Sequence, residues 1–242
     1  MNKNYFFLLL CTLLITFSCS DGDLNIFSLE DDKMLGLQLR DEILANPQEY
    51  PVIDRAAAPA AYAYLEDIVN DILDSDDIVY KDEFAWETYI IKDDSTLNAF
   101  AAPGGYMFVY SGLVKFLDEK DDFVGVMGHE IAHADKRHST DQLTDQYGIS
   151  FLLSFLTGGD PGALSQVLAS LVTLRFSRSA ESEADMASVA YLCDTEYAAN
   201  GAASFFEKLL GQGGARPPEF LSTHPSPEDR VAEINAEADE RG

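Results

Sequence analysis

An α+β fold, mostly helical with one small sheet, follows from three features of the 242-residue sequence. Strand-forming residues are confined to one stretch, where FAWETYII, LNAFAA and YMFVY are separated by turn residues. On both sides of it, apolar positions recur at helical spacing. A hydrophobic content of 47% and an aromatic content of 11% supply a core and exclude an acidic disordered chain.

The N-terminus, MNKNYFFLLLCTLLITFSCS, places Lys3 before an apolar run from Tyr5 to Phe17, with small residues after it. That layout predicts a secretory signal peptide over residues 1–18. The run is short of the roughly 20 apolar residues a membrane span needs. Thr16-Phe17-Ser18-Cys19 resembles a bacterial lipoprotein cleavage box, although Leu is preferred where Thr16 stands and a small residue where Phe17 stands. Cys19 is therefore the expected lipidation site. Residues 19–28 read as a lipid-bearing Cys and an acidic tether, and 29–242 as one domain. With Cys11 in the signal and Cys19 lipidated, only Cys193 remains, so no intrachain disulfide is expected. Cys193 lies in the apolar stretch SVAYLC and reads as a buried thiol.

The elements follow in order. Ser28-Leu29-Glu30-Asp31 is a capping-box pattern opening a helix to about Ala45, with Leu35, Leu39 and Ile43 on one stripe before Asn46-Pro47. A second helix covers about 57–74. The three strands come next and predict a small antiparallel sheet, with Pro103-Gly104-Gly105 as the turn into YMFVY. Helices are then expected over about 111–119, 122–138, 143–157, 162–175, 178–195, 199–211 and 227–239. The last has Ser226 as cap and Pro227 at its first position. The apolar stretches 149–156 and 163–174 are too short to span a membrane, and TGGDPG interrupts them.

Forty-two Asp and Glu against sixteen Lys and Arg give a formal charge of −26. Such a surface repels phosphate backbones and excludes nucleic acid as a partner. The sequence contains no GxxxxGK[ST] loop, so no nucleotide is expected either.

Three of the four histidines lie in GHEIAHADKRH, residues 128–138. On a helix, His129 and His133 leave one face a turn apart and can share one zinc ion. Glu130 can reach a water at the open position without being a ligand, and can serve as general base and acid. A catalytic zinc needs a third protein ligand. In FSRSAESEADMASVAYL, Glu181 and Asp185 share a helical face. Glu181 is the candidate ligand, and Asp185 can accept from the far ring nitrogen of a ligand histidine. ADKRHS follows His133, which excludes the HExxHxxGxxH pattern.

Together, HEIAH, SRSAESEAD, NAFAAPGGYMFVYSGL and STHPSPEDR resemble the HtpX-type zinc metallopeptidases, relatives of the CAAX prenyl proteases, over about residues 29–237. The soluble lipoprotein members are the best match. The resemblance implies a zincin-like, gluzincin fold with the small sheet beside the HExxH helix. It implies one zinc held by His129, His133 and Glu181, with Glu130 as base. It implies a role for His224 in the His-Pro segment, either donating to the oxyanion or closing the open metal position, and it carries Arg230 as a motif member or a helix salt bridge. His138 reads as structural. Asn98, Ala99, Gly105 and Tyr106 are the expected substrate-binding residues, on a sheet edge that takes a polypeptide as an added strand. The expected protein is an exported zinc endopeptidase of the bacterial envelope, lipid-anchored to the outer membrane, acting on unfolded or misassembled proteins. A chaperone-like binder and a zinc hydrolase of non-peptide substrates are the rival readings.

Overall fold

The structure, a computed structural model, describes residues 27–156, 161–211, 219–225 and 227–241. The expected signal peptide, Cys19, most of the tether and Ser226 lie outside the described residues. Of the tether, Phe27 is buried in the core and Ser28 is exposed.

Helix α1, Leu29–Ala45, starts as the sequence predicts. Ser28 Oγ accepts from Asp31 N–H at 3.2 Å and Ser28 N–H donates to Asp31 Oδ2 at 2.9 Å. Its buried stripe is Leu35, Leu39 and Ile43. Helix α2, Pro59–Leu73, has Pro at its first position and buries Leu65, Ile68, Val69 and Ile72.

The sheet contains β1 (Glu87–Ile91), β2 (Ala99–Ala102) and β3 (Tyr106–Tyr110) in the order β1-β3-β2. It is mixed, where the sequence predicted antiparallel pairing throughout. The 3₁₀ turn Pro103–Gly105 makes β2 and β3 an antiparallel hairpin with Phe100 opposite Phe108. The loop 92–98 carries the chain to the far side of β3, so β1 runs parallel to β3 with Tyr89 opposite Phe108. The turn depends on glycine: Gly104 has φ 74 and Gly105 φ 84. Residues 51–53 cover the outer edge of β1, with Ile53 N–H donating to Ile90 O at 2.8 Å.

Nine further helices follow among the described residues. They are α3 Ser111–Phe116, α4 Lys120–Asp135, α5 His138–Tyr147, α6 Ile149–Leu156, α7 Pro161–Val172, α8 Arg178–Leu192, α9 Gly201–Gly211, α10 Glu219–Thr223 and α11 Pro227–Arg241. Two expected helices are divided. Arg137, left-handed at φ 62, ends α4 before His138. Gly148, at φ 79, separates α5 from α6. The short α10 is new; five residues give too little periodicity to read. Cys193, expected buried, is half-buried at the end of α8.

The sheet divides the core. One cluster joins Ala99, Ala101, Met107 and Val109 to α2, α4, α8 and α9. The other joins Phe100, Tyr106, Phe108 and Tyr110 to α1 and α5–α7. Helix α4 is central, and every residue from Asp122 to Asp135 is buried. Its crossing with α9 requires glycine, since a Cβ on Gly125 would lie 2.1 Å from the Ala202 nitrogen. A charged motif in so buried a helix has to be paired or metal-bound.

Candidate metal centre

Four side chains converge on one point in the buried interior. Helix α4 supplies His129 and His133, α8 supplies Glu181, and the residue after α10 is His224. One ligand atom from each lies within 4.8 Å of all the others. His129 Nε2 is 3.0 Å from His133 Nε2 and 3.3 Å from His224 Nδ1. Glu181 Oε1 is 3.0 Å from His224 Nδ1 and 3.7 Å from His133 Nε2. Bare ring nitrogens at such distances repel unless a cation or a proton lies between them. Four donors 2.0–2.1 Å from a tetrahedral zinc stand about 3.3 Å apart. The donor set and its spacing therefore fit zinc.

The far sides of the two histidines are held differently. His129 Nδ1 lies 2.9 Å from Asp185 Oδ1. Asp185 also receives Arg230, from Nε at 2.6 Å and Nη2 at 2.7 Å. Arg230 Nη1 lies 2.5 Å from Glu181 Oε2, so one buried guanidinium ties the third donor to the partner of the first. His133 Nδ1 instead faces His138 Nδ1 at 2.9 Å, and His138 Nε2 lies 3.4 Å from Glu183 Oε2.

Burial and charge set the protonation of the metal-free cluster. Burial works against the His129 cation, yet the Asp185 and Glu181 carboxylates push its pKa up to about 9. Burial, helped by the neighbouring His129 charge, holds His133 well below the usual histidine range. Burial would raise Glu181, but His224, His129 and His133 hold it below the usual carboxylate range. Asp185 is likewise lowered against burial by Arg230 and His129.

Glu130 points into the same space. Its Oε1 is 3.5 Å from His224 Nε2 and has no hydrogen-bond partner among the described residues. Burial raises its pKa, partly offset by His224 and His129. Phe176 stacks on His133 with centroids 4.0 Å apart, and Phe220 on His224 at 4.3 Å.

The expected substrate residues divide. Ala99 is on edge strand β2, beside α4. Asn98 immediately precedes it, and both of its amide atoms are buried without a partner among the described residues. Next to Asn98, Leu97 O accepts from Phe220 N–H at 3.1 Å, so α10 lies against this edge. Gly105 is in the turn and Tyr106 is on the α1 face of the sheet, under the Arg40 guanidinium. Tyr106 therefore faces away from the metal cluster, while Gly105 lies against Phe84 and Trp86. The sequence reading left Arg230 open and took His138 as structural; it gave Phe176 and Phe220 no part in the site. Only the His-Pro…Arg pattern signalled Arg230. No helical spacing signals the two phenylalanines.

The family model for peptidase family M48 matches residues 59–238. The chain belongs to this family of metallopeptidases, whose metal is zinc. It is 31% identical over 166 residues to the putative beta-barrel assembly-enhancing protease of Vibrio cholerae, covering 62% of this chain and 34% of the relative. It is 32% identical over 158 residues to the mitochondrial metalloendopeptidase OMA1 of Schizosaccharomyces pombe, covering 63% and 46%. The beta-barrel assembly-enhancing protease of Escherichia coli K12 matches at 31% over 167 residues, covering 63% and 34%. The chain thus spans between about a third and a half of the length of these relatives. No helix among the described residues is long and apolar enough to cross a membrane.

Proposed function

We propose that this protein is a zinc-dependent endopeptidase that cleaves unfolded or misassembled proteins of the bacterial envelope. The convergence of His129, His133 and Glu181, with Glu130 beside them and its Oε1 without a hydrogen-bond partner among the described residues, carries this reading. Those three residues would hold the zinc, which when bound supplies Lewis acidity to a water and to the scissile carbonyl. Glu130 takes the water's proton at Oε1 and passes it to the leaving amine. Its buried pocket, which raises its pKa, favours the first of these steps, uptake of the water's proton. Asp185 and Arg230 fix the His129 ring and the Glu181 carboxylate, so neither reorganises during the reaction. The substrate main chain lies along the β2 edge, where Asn98 and Ala99 offer it amide groups. Gly105 and Tyr106 shape the sheet behind that edge.

The protein would be a soluble lipoprotein member of the HtpX-type group. Residues 1–18 act as its export signal, and Cys19 carries the lipid that holds it at the outer membrane. The names of its bacterial relatives support envelope substrates.

A second reading has its own observation in favour. His224 Nδ1 stands among the metal donors, and Phe220 N–H donates to Leu97 O in the loop leading into β2. Both features favour a latent form, in which the fourth metal position and the substrate edge would be covered. Such a form could bind clients without cutting them, and its activation would require the segment around α10 to move. In that form His224 closes the site; once released, it is the candidate oxyanion donor.

The test is casein digestion by the full-length chain in detergent, beside Glu130→Gln. The variant should keep its zinc and lose at least about 100-fold in cleavage rate. Equal cleavage by both proteins would remove Glu130 from the mechanism. Zinc-loaded wild type that binds unfolded casein without cutting it would favour the binder.

A further inference from the structure

The surroundings of His133 carry a requirement that the four donors leave unmet. A neutral imidazole has one donor and one acceptor nitrogen. With Nε2 of His133 on the metal, its proton resides on Nδ1. That N–H faces His138 Nδ1 at 2.9 Å, a nitrogen that must then act as acceptor. The His138 proton is consequently on Nε2, directed at the Glu183 carboxylate 3.4 Å away.

We propose that His138 is a positioning residue for the metal ligand His133, set as the Nε2–H tautomer by Glu183, so that its Nδ1 accepts the His133 proton. The inference rests on the metal reading above. His138 is not one of the four converging donors and is itself buried. The backbone holds it in place on both sides. Arg137 turns left-handed and pairs with Asp32 of α1. Ser139 Oγ donates to Ala101 O at 2.8 Å, and Thr140 Oγ1 to Asp32 Oδ1 at 2.9 Å. On an unbroken helix, residue 138 would lie off the face of His133; the turn at Arg137 brings it back. The two ligand histidines therefore have unequal supports. His129 has the anion Asp185, while His133 has a neutral ring whose partner Glu183 is half exposed.

With only four histidines in the chain, ring nitrogens can be read one by one. Zinc-loaded full-length protein, ¹⁵N-labelled at histidine and held in detergent, gives each tautomer from long-range proton–nitrogen correlations. His138 should show an unprotonated Nδ1 and a protonated Nε2. A protonated Nδ1 on His138 would overturn the proposal, whatever the variants do. In parallel, zinc affinity is measured by competition with a chromophoric chelator. His138→Leu removes the acceptor and should weaken binding about 10- to 100-fold. His138→Asn keeps an oxygen near the Nδ1 position and should recover most of that loss. Wild-type affinity in the Leu variant, or equal weakening in both, would also overturn it. Wild-type protein that binds no zinc would instead sink the metal reading itself.

Discussion

The chemistry depends on a few buried charges, and each can be perturbed singly. Arg230 balances Asp185 and Glu181, all three almost fully buried. Removing one partner of such a group leaves uncompensated charge and costs about 3–5 kcal/mol. Arg230→Met should therefore lower the unfolding free energy of the chelated protein, and zinc should restore part of it by supplying the missing cation. Asp185→Asn should weaken zinc binding about 10- to 100-fold in the same chelator competition, because the His129 ring loses its orientation. A pH dependence follows from His129. Its folded pKa of about 9 lies above its ordinary 6.5. Its contribution to the metal-free fold is fully present below 6.5 and is lost as pH rises through 9. Zinc has to displace that proton, so zinc affinity should climb over the same interval. Titration of affinity against pH checks the sign, and a flat profile would show that His129 is neutral before metal arrives. At this scale the sequence was legible where partners share a helix. His129 and His133, and Glu181 and Asp185, are each four apart. His138 was not legible, because its position depends on a left-handed turn at Arg137 that only the contact with α1 explains.

Elements bring these residues together through close crossings, which sequence patterns register weakly. Helix α4 is buried on every side, so its apolar periodicity is faint, and its presence was legible mainly from the motif it carries. Gly125 permits the approach of α9, and Gly125→Ala would press a methyl group onto the Ala202 nitrogen. About 1–3 kcal/mol of destabilisation is expected by urea unfolding, with zinc stoichiometry kept if the cluster itself survives. The strands were legible from β-branched and aromatic residues, but their pairing was not. Local sequence does not encode that loop 92–98 passes β3, which is why β1 is parallel. Helix α10 escaped for want of length, although it carries Phe220 to the β2 edge and His224 to the metal donors. If it holds the site closed, Phe220→Ala should raise casein cleavage by unstacking His224. A loss of cleavage with zinc retained would mean that Phe220 serves the active form.

Across the whole molecule, the fold class and the likeness to a metallopeptidase family were both readable from the sequence, since they depend on composition, periodicity and motifs rather than on pairing. The charge of −26 bears on behaviour rather than fold. Its self-repulsion should be relieved by added salt, raising the thermal midpoint of the metal-free protein. The proposed anchor acts at this scale too. Cys19→Ser should move the protein from the membrane to the soluble fraction of cells while leaving casein cleavage by the purified protein unchanged. The account as a whole depends on zinc, and metal content tests it most directly. Full-length protein purified without chelators should hold about one zinc per chain, Glu181→Gln much less, and cleavage of casein should stop when the metal is removed. Wild-type protein without zinc, or zinc retained undiminished in Glu181→Gln, would contradict the metal centre from which the proposed activity follows.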